Sequence, residues 1–158
     1  MSDQLTHIDE NGNASMVNIG AKKVTLRRAM AEARVSLPAE VVQGISGNDI
    51  QSAKGPVFQT AIIAGIQGAK RTGELIPLCH PLALDHVGIK IHMEGSEAVV
   101  RCEASLEAKT GVEMEALTGA SIAALTIYDM CKALSHDIVI HGLRLIEKSG
   151  GKNDFSRS

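Results

Sequence analysis

Aromatic side chains are nearly missing from this 158-residue chain, which has two Phe, one Tyr and no Trp. Modules that read nucleic acid by stacking bases need an aromatic platform, so that class is disfavoured. A formal charge of −2 supplies no global basic field, and any anion binding must be local. Cysteine is sparse too. Cys79, Cys102 and Cys131 are odd in number, far apart and free of any CxxC pattern. They read as reduced thiols of a cytoplasmic protein rather than as a disulfide framework. No apolar run reaches the roughly 20 residues of a membrane span. The first twenty residues include Asp3, Asp9 and Glu10 and show no signal-peptide pattern. Walker A, GxGxxG and internal repeats are all absent. What remains is 44% apolar and 22% charged, the balance of one globular domain over 1–158 with an aliphatic core. Residues 1–21 read as a polar arm, ordered only when docked on a neighbour, and 150–158 as a C-terminal tail.

The stretch from Lys109 to Lys132 organises the rest. Thr110 with Glu113 three residues on is a capping-box pattern, and about twenty residues of helical pattern follow. The middle of that helix is small: Ala116, Gly119, Ala120, Ser121, Ala123 and Ala124. Small residues predict a second backbone packed close. Charges sit at the ends, Glu113 and Glu115 at the start, Asp129 and Lys132 at the finish. Positions 115 and 129 lie about 40° apart around the axis and about 21 Å apart along it. No small substrate touches both at one reacting centre. Either the two ends serve different sites, or two chains pair so that one helix start meets another helix finish.

Val24–Leu37 is Ala-rich, which favours helix by propensity. Its polar residues nonetheless alternate, with Arg28, Glu32 and Arg34 on one parity and Ala29, Ala31, Ala33 and Val35 on the other, which predicts a strand. Pro38 ends it and opens a short helix over Ala39–Ile45. Gly47–Gly55 reads as a polar loop, and Pro56 starts a helix to about Thr72, with Gly65 and Gly68 marking close backbone contact. Two prolines make Ile76–Leu82 stiff and irregular. Val87–Met93 and Ala98–Leu106 alternate around Glu94-Gly95-Ser96-Glu97 as a hairpin. Ile138–Ile146 is a final strand, and Ser149-Gly150-Gly151-Lys152 is expected to end the ordered chain. The order is that of a ferredoxin-like split βαβ α+β sandwich, an antiparallel sheet with two long helices on one face. Arg28, Glu32, Arg34, Arg101 and Glu103 belong to the other face, either solvated or in a polar subunit contact.

Several residues carry candidate chemistry, each beside a plainer reading. Lys148-Ser149-Gly150-Gly151-Lys152 suits an oxyanion, or is simply a strand end. Lys54 stands just before a helix N-terminus, unfavourable unless something negative is there, or is a solvated loop lysine. Lys70 complements the dipole at the far end of that helix. Asp129 and Lys132, at i and i+3, form a surface ion pair or a proton-transfer pair. Cys79 and His80, between locked neighbours, read as a nucleophile pair or as metal ligands, with no second cluster to complete a metal site. Arg27 lies on the Ala parity of its strand, at the strand's end or reaching a bound anion. Together these describe several cations, two or three carboxylates and no metal cluster, which suits acid–base rearrangement of a phosphorylated, polar, ring-containing substrate.

Long blocks of the chain resemble a known family. They are Lys54-Gly55-Pro56-Val57-Phe58, Ile76-Pro77-Leu78-Cys79-His80-Pro81-Leu82, Lys109-Thr110-Gly111-Val112-Glu113-Met114-Glu115-Ala116-Leu117, Ile127-Tyr128-Asp129-Met130-Cys131-Lys132 and Lys148-Ser149-Gly150-Gly151-Lys152. The likeness, from about Leu5 to Phe155, is to the C protein of molybdenum cofactor biosynthesis, the cyclic pyranopterin monophosphate synthase family. That resemblance implies a lyase that converts 3′,8-cyclo-7,8-dihydroguanosine 5′-triphosphate to cyclic pyranopterin monophosphate with release of pyrophosphate. It implies a homohexamer, a trimer of dimers, with sites between subunits. It carries the general acid–base role onto Asp129 and essential lysines onto Lys54 and Lys132. Substrate contacts map onto Leu78, Cys79, His80, Met114 and Glu115, and further pocket residues onto Arg27, Lys70, Glu113 and Lys148. No resident cofactor is implied, and Mg2+ accompanying the triphosphate stays open. The alternative from another class is a non-catalytic module that binds a nucleotide between subunits. It would need the cations but no acid–base pair.

Overall fold

The alternating parity of the Ala-rich segment wins over its helix propensity. In the computed structural model, which describes residues 7–158, it is strand β1 (Thr25–Ser36). The reason is tertiary: β1 is central and paired on both edges, and its Ala29, Ala31 and Ala33 are fully buried under a helix. After β1 come α1 (Ala39–Val42), β2 (Ile45–Ser46), β3 (Asp49–Ser52), β4 (Gly55–Pro56), α2 (Val57–Lys70) and α3 (Thr72–Leu75). Then follow β5 (His86–Glu94), β6 (Glu97–Ala108), α4 (Glu113–Cys131), β7 (Val139–Ser149) and β8 (Phe155–Ser156). The main sheet runs β5-β6-β1-β7-β8, every pair antiparallel, and α2 and α4 cover one face. This is the α+β, ferredoxin-like arrangement that the order of elements predicts.

The small middle of α4 does what its composition implies. A Cβ added to Gly65 would lie 2.8 Å from the Gly119 carbonyl and 3.0 Å from Ala123 Cβ. One added to Gly119 would lie 2.5 Å from Cys102 Sγ and 3.2 Å from the Gly65 carbonyl. So α2 and α4 touch backbone to backbone, and α4 in turn sits on the sheet through Ala-sized side chains. That close, rigid contact fixes where the helix ends fall.

On the far face of the sheet, Glu32 is only 1% exposed, beneath Arg34 Nε at 3.2 Å, Arg101 Nε at 2.9 Å and Arg144 at 3.3 Å. Burial opposes ionisation of Glu32, but Arg101 and Arg34 outweigh it and hold the carboxyl below its usual range. Arg28 pairs with Glu103 at 2.8 Å on the same face.

Five local expectations are corrected. The capping box is not formed: Val112 is the N-cap and no side chain caps α4. Instead Glu113 turns its carboxylate over Gly111, into space a Cβ would occupy, toward Lys148. The segment read as the loop Gly47–Gly55 lies within a small three-stranded meander, β2-β3-β4, from Ile45 to Pro56, and the short helix stops at Val42. The chain continues past Lys152, because Phe155–Ser156 pairs with Glu147–Lys148. The N-terminal arm, whose residues 1–6 lie outside the described part, docks on its own chain from residue 7 onward. It does so through His80 and Lys109.

Candidate active site

Because α2 and α4 are packed as an antiparallel pair, the start of each lies beside the finish of the other. The two groups of polar residues therefore collect at opposite ends of α4.

At its carboxyl end stand Lys54, Asp129 and Lys132. Lys54 occupies the turn between β3 and β4, where its own N–H donates to Ser52 Oγ at 3.1 Å and Gly55 takes a φ of +108°. Asp49 ties this turn down. Its carboxylate accepts from the N–H groups of Ile50 (2.6 Å), Phe58 (2.6 Å) and Gln59 (3.1 Å), so it joins β3 to the first turn of α2. The negative charge that a lysine here calls for comes from Asp49 at that helix start and from Asp129. Lys54 Nζ donates to Asp129 Oδ2 at 3.2 Å and to the Asp129 carbonyl, one of α4's unpaired last-turn acceptors, at 3.3 Å. Lys132 Nζ reaches Asp129 Oδ1 at 2.8 Å. Lys132 foremost, and Lys54 with it, hold the Asp129 carboxyl below the usual carboxylate range, and Asp129 in turn raises Lys132. All three side chains are about half exposed. Such pairs add little to stability, so the cluster is not there to hold the fold together.

The amino end of α4 is different. A cleft of about 280 Å³ opens there, walled by Leu78, Cys79 and His80 on one side and Glu113, Met114 and Glu115 on the other. Glu115 is 3% exposed and has no ion-pair partner among the described residues. Burial, aided by the nearby Glu113 charge, pushes its carboxyl up to about 7. Burial also raises the Cys79 thiol, and the Glu115 charge adds to it. Lys148 Nζ lies 3.0 Å from Glu113 Oε1. Lys70, at the end of α2, lines an adjoining cleft that Glu115 also borders. Arg27 hydrogen-bonds the Ala108 carbonyl at 3.4 Å, and its guanidinium lies against Gly151. Gly150 N–H donates to Asp154 at 3.2 Å, so a carboxylate of the chain itself occupies part of the expected oxyanion cradle.

All but one of the residues proposed from sequence fall in one of two clusters. Lys54, Asp129 and Lys132 form one. Leu78, Cys79, His80, Glu113, Met114, Glu115, Lys70 and Lys148 belong to the other, and Arg27 lies apart, against the Ala108 carbonyl and Gly151. Glu115 and Asp129 are 14 positions apart on one helix, so the clusters are about 21 Å apart. Sequence reasoning missed Asp49 and the arm residues Val17, Ile19 and Lys22, which also line the cleft. The alternation of Val17 and Ile19 was the available signal. Among the described residues no three His, Cys, Asp or Glu side chains are arranged to hold a metal, and no helix is long and apolar enough to cross a membrane.

A split βαβ sandwich with one basic–acidic cluster and one cleft holding a protonatable carboxyl defines a domain suited to acid–base work on a charged small molecule. The family model described as the MoaC family matches residues 16–151, and the chain belongs to that family. It is 54% identical over 156 residues to "Molybdenum cofactor biosynthesis protein 1" of Drosophila melanogaster, covering 98% of this chain but only 27% of that protein. It is 51% identical over 155 residues to "Cyclic pyranopterin monophosphate synthase" of Xanthomonas oryzae pv. oryzae, covering 98% of this chain and 94% of that one. The protein of the same name from Xanthomonas campestris pv. campestris is 50% identical over the same span.

Proposed function

We propose that the chain is a cyclic pyranopterin monophosphate synthase acting in molybdenum cofactor biosynthesis. The observation that carries this is the 51% identity to a relative of that name along 94% of its length. In this reading the enzyme is a lyase in the cytoplasm. Its substrate is 3′,8-cyclo-7,8-dihydroguanosine 5′-triphosphate, and pyrophosphate leaves as the cyclic phosphate closes.

The chemistry needs proton transfers during ring opening and re-closure, then attack of a sugar hydroxyl on the innermost phosphate. Two carboxyls in opposite environments suit the first stage. Asp129, held ionised by lysines, serves as base, while Glu115, titrating near neutrality, supplies a proton at working pH. Lys132 and Lys54 shuttle protons beside Asp129. Lys148, Lys70 and Arg27 offset the charge gathering on the phosphates. Any Mg2+ arrives with the triphosphate as part of the substrate.

Asp129 and Glu115 are about 21 Å apart in one chain, too far to share a reacting centre. We therefore take each complete site to combine the amino end of α4 from one copy with the carboxyl end from another, within a homohexamer built as a trimer of dimers. Incubation of the purified protein with the cyclised triphosphate tests the function. Appearance of the pterin product with one pyrophosphate per turnover is the expected result. Binding without pyrophosphate release would instead identify the nucleotide-sensing module.

A further inference from the structure

The arm before β1 is not a loose end. Residue 15 is tied back by a bond from the Ser15 N–H to the His7 carbonyl (2.9 Å), and Ile8 bridges Ala14. From there the chain runs extended with alternate residues turned inward: Ser15, Val17 and Ile19 are half-buried, Met16 and Asn18 exposed. Asn18 Oδ1 accepts from the Gly20 N–H at 2.9 Å, and the Lys22 N–H closes a turn on the Ile19 carbonyl at 3.1 Å. Two side chains from the body of the domain hold this segment. Lys109 Nζ donates to the Gly20 carbonyl at 2.9 Å, and His80 Nε2 meets the Val17 carbonyl at 2.7 Å. Val17, Ile19 and Lys22 then form a wall of the cleft that holds Glu113 and Glu115.

The His80 contact has a chemical consequence. A backbone carbonyl only accepts, so Nε2 must carry the proton. Among the described residues Nδ1 has no partner. We infer that residues 15–22 are a strap laid by the chain across its own cleft. The strap locks His80 with a proton on Nε2, which leaves Nδ1 as the ring atom facing an N–H or O–H of the bound nucleotide. Lys22 adds a cation at the rim, beside the two glutamates. Val17 and Lys109 act as positioning residues, through His80 and through the strap. This rests on reading the cleft as the substrate site.

Two measurements test it on the full-length protein. The first needs no substrate. In protein labelled with 15N-histidine, with the His80 signals assigned by loss in His80→Gln, wild type should show a slowly exchanging ring proton on Nε2. The double variant Val17→Asp/Ile19→Asp, which charges the inward side of the strap, should lose that protection. A proton on Nδ1 in wild type, or equal protection in the variant, overturns the lock. The second is kinetic. Loss of one orienting hydrogen bond predicts a drop in kcat/KM of about fivefold to tenfold for the double variant. The single variant Lys109→Met, which keeps the strap's apolar face and removes one clip, should fall about twofold to fivefold. Wild-type kcat/KM in both variants overturns the role in turnover. Because the ring-proton result stands without turnover, failure of the strap and failure of the proposed reaction are told apart.

Discussion

The two ends of α4 treat a carboxylate in opposite ways. At the carboxyl end Asp129 is half exposed and gripped by two lysines, which hold it ionised. At the amino end Glu115 is buried, with no counter-ion among the described residues, and burial pushes it up to about 7. One helix thus supplies a carboxyl held below its usual range and another raised to near neutrality. The difference lies in what packs around each end, not in the residue type. The two ends thus offer different parts of acid–base chemistry: an exposed, ionised carboxylate between two lysines at one, and a walled cleft with a protonatable carboxyl at the other.

Substitutions at the exposed end should have the largest effect. Asp129→Ala and Lys54→Ala each remove a partner in proton transfer and should lower kcat by about 100-fold or more. Because the cluster is half exposed, urea midpoints should stay near wild type. A large loss of stability with little loss of kcat would reverse the roles given to the two ends.

At the buried end the effect should appear in pH dependence. The Glu115 carboxyl titrates at about 7 when folded and near 4.5 when unfolded. Its proton is therefore kept by the native chain after the unfolded chain has released it. The stability this contributes is complete below pH 4.5 and is lost as pH rises through 7. Relative to Glu115→Gln, wild type should lose up to about 3 kcal/mol between pH 4.5 and 8, read from urea unfolding. A flat difference across that range would mean that Glu115 is solvated or paired.

The smallest effect is expected at Thr110. It makes no capping bond to α4. Thr110→Ala should change stability by less than about 0.5 kcal/mol, against the ~1 kcal/mol typical of a working cap. A loss of the full amount in thermal unfolding would restore the capping box and remove the reason for Glu113 turning to Lys148.

Much of the framework was legible because its signals were periodic. The parity of Ala29, Ala31 and Ala33 against Arg28, Glu32 and Arg34 identified a strand in spite of alanine's helix propensity. Gly65, Gly119 and the alanines of α4 announced the close helix pair. The separation of Glu115 from Asp129 followed from helix geometry alone. What was illegible depended on contacts far apart in sequence. Thr110 and Glu113 have the spacing of a cap, but Lys148, on another strand, draws Glu113 away across Gly111. Strands of two residues, such as Ile45–Ser46, are too short to show a period. Asp49 looks like any turn residue until three N–H groups are seen to converge on it. The arm offered only Val17 and Ile19, and its docking rests on His80 and Lys109, more than sixty residues on.

Whether each site is assembled from opposite ends of two copies is decided most directly by co-expressing inactive variants in equal amounts. Glu115→Gln with Asp129→Ala places one defect at each end. Random pairing should then leave about a quarter of the sites intact, and activity should return to about that fraction of wild type. Lys54→Ala with Asp129→Ala places both defects at the same end, and no activity should return. Recovery in the second mixture and none in the first would contradict the account.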